Sequence, residues 1–134
     1  MKLISFFIIF LPSLCFTQLS LSSEFISVCY WNQEQSIWDN CSVKSEYNSL
    51  FVVNKNETMF THTTSEVKST YYVKEPDYDN ADADKGIYAY DVVSDVGNEY
   101  YFIFDLGIKE VKIVSTRGEP HEWYMNRIFI KSIF

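Results

Sequence analysis

One stretch of the sequence carries carboxylates at the spacing of an oxygen-liganded metal site. Asn80, Asp82 and Asp84 stand at positions i, i+2 and i+4, and Asp91 follows at i+11. Calcium-binding loops use oxygen ligands at this spacing and end on a carboxylate at the twelfth position. The match is incomplete, because Lys85 takes the sixth position, which is glycine in such loops. The sequence therefore favours a solvated acidic loop and no cofactor, with calcium binding as the alternative.

Two cysteines have the spacing of a disulfide rather than of a reactive pair. Cys29 and Cys41 lie twelve positions apart, and a hairpin centred near Gln35 sets them opposite each other. Cysteines in an oxidising compartment pair as disulfides. The spacing is not C-x-x-C and no histidine lies nearby, which disfavours a redox or metal pair. We therefore predict a cross-strand disulfide.

The two histidines of the chain lack the surroundings of a catalytic base. His62 falls in a predicted strand, and His121 falls in a predicted turn beside Glu119 and Glu122. The sequence contains no G-x-S-x-G, H-E-x-x-H, glycine-rich phosphate loop or nucleotide-binding fingerprint. We therefore expect no enzymatic activity and no catalytic residues.

An aromatic face within residues 86–115 is the other candidate site. A three-residue turn that ends at Gly97 pairs Val92 with Tyr100, and the alternation of side chains extends the pairing along both strands. Five aromatic residues then share one face: Tyr88, Tyr90, Tyr100, Phe102 and Phe104. They either line a cavity for an apolar ligand or fill the core, and the size of the rings favours the core. The tyrosine hydroxyls on that face need hydrogen-bond partners in either case.

The neighbouring segments read as further hairpins. A turn at Leu106-Gly107 places Val111 opposite Phe102. A turn over residues 54–57 places Phe51 opposite Phe60, in a hairpin that spans residues 49–63. The last segment, residues 122–132, reads as a closing strand whose inward side chains are Trp123, Met125 and Phe129, with a short helical turn from Pro120 to Tyr124 as the alternative for its start.

These segments together predict an all-β fold. Eight to nine strands follow one another through mostly short loops, and no amphipathic helix is evident. The simplest arrangement is an antiparallel meander whose edges are removed by closing an up-and-down barrel or by strong curling of the sheet. A two-sheet β-sandwich is the alternative.

The amino-terminal segment has the pattern of a secretory signal peptide. Met1 and Lys2 precede an uncharged, mostly apolar stretch over residues 3–16, which is shorter than the roughly 20 residues of a membrane span. We predict a signal peptide over residues 1–17, cleaved after Thr17, and a single all-β domain over residues 18–134. The mature chain is then secreted or periplasmic and has no membrane span.

The negative net charge of the chain disfavours some classes of binding partner. Removal of residues 1–17 takes away Lys2, so the net charge goes from −7 to −8. Such acidity argues against nucleic acid and anionic membranes. The interpretation ranked first is an exported, non-enzymatic β domain that binds an unknown protein or a small apolar ligand. The alternatives are a carrier of a small apolar ligand inside a barrel and a structural, envelope-associated protein.

Overall fold

The computed structural model describes residues 18–134, and the predicted signal peptide lies outside them. Nine antiparallel strands make up most of this part of the chain. In chain order they are β1 (Leu19–Asn32), β2 (Ile37–Asp39), β3 (Ser45–Val53), β4 (Met59–Thr63), β5 (Lys68–Pro76), β6 (Ile87–Ser94), β7 (Glu99–Asp105), β8 (Glu110–Ser115) and β9 (Tyr124–Ile133). Short 3-10 turns, Ala83–Lys85 and Pro120–Glu122, precede β6 and β9. No helix in residues 18–134 has the length and apolar character needed to cross a membrane.

Eight of the nine strands close into an up-and-down barrel. From β3 to β9 each strand pairs with the next, and β1 joins the two ends by pairing with both β3 and β9. The pairing of β1 shifts register near Ser23, as a bulge does when it bends a strand. Closure leaves these eight strands without a free edge, and β2 lies outside the ring against the end of β1. The predicted meander and barrel are confirmed, and the chain does not form the alternative sandwich.

The β6–β7 hairpin has the predicted register. Val92 pairs with Tyr100, and Tyr90 pairs with Phe102, as predicted. Gly97 takes a φ of 87°, which supplies the left-handed turn position. Alternate side chains of β6 lie on one face, so Tyr90 and Val92 are buried, whereas Asp91 between them is exposed.

The predicted β7–β8 register is wrong by two residues. Val111 pairs with Phe104 rather than with Phe102, because a loop over residues 106–109 replaces the predicted two-residue turn. In that loop Lys109 takes the left-handed conformation, with a φ of 54°. A shift of two keeps every side chain on its own face of the sheet, so Val111 still points into the barrel.

The β3–β4 hairpin differs from the prediction in the same way. Phe51 pairs with His62, and Phe60 pairs with Val53. The connecting loop is wider than predicted because the side chain of Asn54 bridges it. Its Oδ1 atom accepts hydrogen bonds from the backbone N–H groups of the two residues that enter β4. The parity is again preserved, so both phenylalanines remain inside.

Four fully buried phenylalanines fill the middle of the barrel: Phe51, Phe60, Phe102 and Phe104. The ring centroid of Phe60 lies 4.7 Å from that of Phe102 and 5.3 Å from that of Phe104, in edge-to-face arrangements that aromatic pairs favour. Buried aliphatic side chains complete the cluster: Leu21, Val53, Val92, Val111, Ile113, Ile128 and Ile130.

The prediction of which β9 side chains face inward is wrong. The interior positions are Ile128 and Ile130, which belong to the core cluster. Phe129 lies on the outer face, where the ammonium of Lys44 stands 3.9 Å from its ring centroid. Trp123 and Met125 have the same parity as Phe129 and are absent from the core cluster, although Met125 is buried on the outer side. The pattern of β9 alone is ambiguous because apolar side chains lie on both of its faces.

Candidate functional site

One end of the barrel contains a cavity. This end, called the open end, is formed by the start of β1 and by three loops, residues 54–58, 77–86 and 106–109. Alternating strand direction brings these segments together. The cavity between them measures about 390 Å³. Ligand sites usually span about 300–1,000 Å³, so a small ligand fits.

The cavity has an apolar wall and a polar rim. The wall is made by Leu19, Val53, Tyr88, Tyr90, Phe104 and Leu106. The rim is made by Asn54, Lys55 and Glu57 from the β3–β4 loop and by Ala83 from the acidic loop. An apolar pocket with a few placed polar groups is the usual form of a small-molecule site.

The structure divides the five aromatic residues predicted to bind a ligand between the cavity and the core. Tyr88, Tyr90 and Phe104 line the cavity. Phe102 is fully buried in the core and is not among the cavity residues. Tyr100 lies farther along the barrel, also outside the cavity lining. The position of a residue along the strand therefore decides whether it packs in the core or faces the cavity.

A buried tyrosine and a rim carboxylate are joined at the cavity. The Tyr90 hydroxyl donates a hydrogen bond to Glu57 Oε1 at 2.6 Å. Tyr90 is 5% exposed. Burial raises the pKa of this phenol well above its ordinary value, and the adjacent Glu57 carboxylate raises it further. Tyr90 is therefore a neutral donor at physiological pH, and it holds the Glu57 side chain against the cavity.

The β3–β4 loop is built to place Glu57 at the rim. Glu57 takes a φ of 54°, which is unusual for a residue other than glycine or asparagine, and its N–H donates to the Asn54 carbonyl at 3.1 Å. The Asn54 side chain also holds Thr58, donating to Thr58 Oγ1 and accepting from Thr58 N–H, both at 2.9 Å. The turn is predicted from the sequence but the role of Glu57 is not, because its partner Tyr90 lies two strands farther on, in β6.

The acidic loop is anchored on the outer wall through Asp77. Its carboxylate accepts hydrogen bonds from the Tyr101 hydroxyl and from the Asn80 side-chain amide, each at 2.7 Å. It also accepts from the backbone N–H of Asp79 at 3.1 Å. These hydrogen bonds hold the pKa of Asp77 below its ordinary value, with the bond from Asn80 as the largest cause. The loop that covers one side of the cavity is therefore fixed to the wall of the barrel.

The residues predicted as calcium ligands have separate partners. The Asn80 amide donates to Asp77, and the Asp82 carboxylate accepts from the backbone N–H of Lys85 at the start of a 3-10 turn that contains Asp84. Asp91 is exposed in β6. Among residues 18–134, no group of three or more histidine, cysteine, aspartate or glutamate side chains is placed to hold a metal ion. A solvated acidic loop stays the prediction, and a melting experiment tests the calcium-binding alternative.

The two histidines lie in different environments. His62 is inside the barrel, stacked on Phe51 with ring centroids 4.1 Å apart, and its Nε2 lies 3.4 Å from the Tyr47 hydroxyl. Burial lowers the pKa of His62 to about 4, so its ring is neutral at pH 7. His121 is exposed in the 3-10 turn before β9. His62 packs in the interior, whereas His121 meets solvent.

The opposite end of the barrel carries the disulfide and all three tryptophans of the chain. Cys29 and Cys41 are bonded, with Cα atoms 4.0 Å apart, which confirms the predicted pairing. The ring of Trp31 contacts those of Trp38 and Trp123, at centroid distances of 5.1 and 6.0 Å. The disulfide therefore ties the segment that follows β2 to β1, beside an aromatic cluster.

Comparisons of the chain with models of protein families, with curated proteins and with solved structures find no match. The site is therefore interpreted from its own geometry.

Proposed function

We propose that the protein is a non-enzymatic binding domain that holds a small, mostly apolar ligand in the cavity at the open end. The cavity of about 390 Å³ is the observation that carries this proposal. An eight-stranded barrel has an interior just wide enough to be filled by side chains or to hold one small ligand. Here the middle is filled by phenylalanines, and the cavity lies at the open end.

The lining supports an amphipathic ligand. The rings of Tyr88 and Tyr90 and the aliphatic side chains of Val53 and Leu106 offer apolar surface to the ligand body. Burial of apolar surface contributes about 25 cal/mol per Å². Asn54 and Glu57 at the rim offer hydrogen-bonding groups to a polar end.

Export of the protein is part of the same proposal. The disulfide between Cys29 and Cys41 supports it, because such bonds persist in oxidising compartments and are rare in the cytosol. The signal-peptide pattern over residues 1–17 supports it from the sequence.

The test is a titration with n-octanol followed by NMR. The methyl signals of Leu19, Val53 and Leu106 line the cavity and should shift in a saturable way. The indole signal of Trp31 serves as an internal control. It lies near the other end of the strand that starts at Leu19, at the opposite end of the barrel. Tryptophan fluorescence is a poor reporter of this cavity for the same reason.

A pair of matched variants locates the binding. Ala83 is exposed at the rim of the cavity, so Ala83→Trp should block the entrance without disturbing the core and should weaken octanol binding at least about tenfold. Val96→Trp places the same side chain at the β6–β7 turn, at the opposite end, and should leave binding unchanged. Equal losses in both variants, or methyl signals that never shift, would contradict the proposal.

A protein-interaction module is the second candidate, favoured by the aromatic cluster at the opposite end. Tyr30 is 50% exposed beside Trp31, and the outer edge of β2 is unpaired within residues 18–134. In this case Trp38→Ala should abolish capture of a defined partner from the exporting cell, whereas Ala83→Trp should not. Retrieval of wall material alone would favour the structural, envelope-associated alternative.

A further inference from the structure

We propose that the cavity at the open end selects ligands that carry a cationic ammonium group on an apolar body, rather than fatty-acid-like ligands with a carboxylate. This inference rests on the proposed binding function and specifies the chemical class of the ligand. It follows from the fixed position of Glu57, from the charge of the surrounding loops and from the aromatic wall.

Glu57 is the charged group that is held in place at the cavity. Tyr90 donates to Oε1 at 2.6 Å, and the loop fixes the backbone through Asn54. An ionised carboxylate has about four acceptor positions, so one hydrogen bond from Tyr90 leaves room for an ammonium donor. Hydrogen bonds between ionised groups are roughly twice as strong as neutral ones. A ligand carboxylate in the same place would meet a like charge instead.

The loops of the open end are acidic as a set. They carry five carboxylates against three lysines. The carboxylates are Glu57, Asp77, Asp79, Asp82 and Asp84, and the lysines are Lys55, Lys85 and Lys109. Clefts bordered by an excess of one charge raise the local concentration of ligands of the opposite sign. The mouth of the cavity therefore attracts cations.

The wall offers a second interaction to an ammonium group. Tyr88, Tyr90 and Phe104 all border the cavity. Cations bind over the faces of such rings, and more strongly where water is excluded. The rings therefore offer favourable contacts both to the apolar chain and to the ammonium group of an alkylammonium ligand.

Lys55 is the group that an anionic ligand would use. It is the only cationic side chain among the cavity residues of the described chain. It is exposed at the tip of the β3–β4 loop, and no salt bridge within residues 18–134 includes it. Glu57 is exposed as well, but its carboxylate is held by the hydroxyl of the buried Tyr90. The fixed charge at the cavity is negative, which is why we favour a cationic ligand.

Three ligands with the same chain test the inference at pH 7: n-octylammonium, n-octanol and n-octanoate. Titration calorimetry and the methyl shifts of Leu19, Val53 and Leu106 report binding of each. We expect octylammonium to bind at least about tenfold more tightly than octanoate, as one charge-assisted hydrogen bond allows. Octanoate binding equal to or tighter than octylammonium binding overturns the inference but leaves the binding function intact. If none of the three ligands shifts the methyl signals, the proposed function itself fails.

Variants that replace a single carboxylate with an uncharged amide show which residue causes the preference for the ammonium ligand. In Glu57→Gln the preference for octylammonium over octanol should fall about tenfold. Glu66→Gln removes one carboxylate from the β4–β5 loop at the opposite end and should leave that preference unchanged. A preference that survives Glu57→Gln, or that falls equally in Glu66→Gln, refutes the role of Glu57. Tighter octanoate binding that is lost in Lys55→Gln would show that the cavity selects anions.

Discussion

Acidification should destabilise the protein through one buried residue, His62. Its side chain is 8% exposed and stacks on Phe51, and burial lowers its pKa from 6.5 to about 4. In the unfolded chain the imidazole titrates near 6.5. Between pH 6.5 and pH 4 the unfolded state therefore binds a proton that the native state does not. The free energy of unfolding falls through this window and levels off below pH 4, with a total loss of about 3 kcal/mol from this residue.

The assay compares urea unfolding of the wild-type protein and of His62→Phe between pH 7.5 and pH 3.5. Phenylalanine keeps an aromatic ring against Phe51 but does not titrate. It loses the long contact to the Tyr47 hydroxyl, which should cost about 1 kcal/mol or less at neutral pH. Below pH 6.5 the wild type should lose stability relative to the variant by up to about 3 kcal/mol. Carboxylates and His121 are common to both proteins, so their contributions cancel. Parallel stability curves would refute a buried, neutral His62.

Three further measurements test other parts of the structure. Replacing Cys29 and Cys41 together with serine should lower the free energy of unfolding by about 3 kcal/mol, and an unchanged melting temperature would contradict this estimate. Tyr101→Phe removes the hydrogen bond to Asp77 and should increase amide exchange in the acidic loop while leaving the core strands protected, whereas unchanged exchange would show that the anchor lies elsewhere. Melting with calcium and then with chelator distinguishes a solvated acidic loop, the favoured interpretation, from the calcium-binding alternative, which coincident midpoints would exclude.

The sequence predicted local structure best where a turn and an alternating pattern agree. In the β6–β7 hairpin, Gly97 fixes the turn, and a slip of one residue would expose Tyr90 and Phe102. The pairing of Cys29 with Cys41 follows from a short separation across one hairpin in the same way. Both features depend on contacts between residues that are near in sequence.

The features that were predicted wrongly or missed depend on side-chain hydrogen bonds or on long-range closure. The β3–β4 and β7–β8 registers shift because Glu57 and Lys109 adopt left-handed conformations. Such conformations are uncommon for glutamate and lysine, so the sequence does not predict them. The wider β3–β4 loop is stabilised by the Asn54 side chain rather than by a glycine. The sequence does not show which face of β9 points into the barrel, because Ile128 and Phe129 are both apolar.

The aromatic face supplies both the core and the cavity because the barrel is packed unevenly along its axis. In the middle, Phe60 of β4 contacts Phe102 and Phe104 of β7, and these rings fill the interior. Nearer the open end the ring of Phe104 also borders the cavity, which is lined by the smaller side chain of Val53 as well. A larger side chain at the cavity would bury more apolar area, and burial of apolar area is the main source of core stability. The unfilled volume beside a carboxylate held by Tyr90 is the reason for proposing a ligand site here.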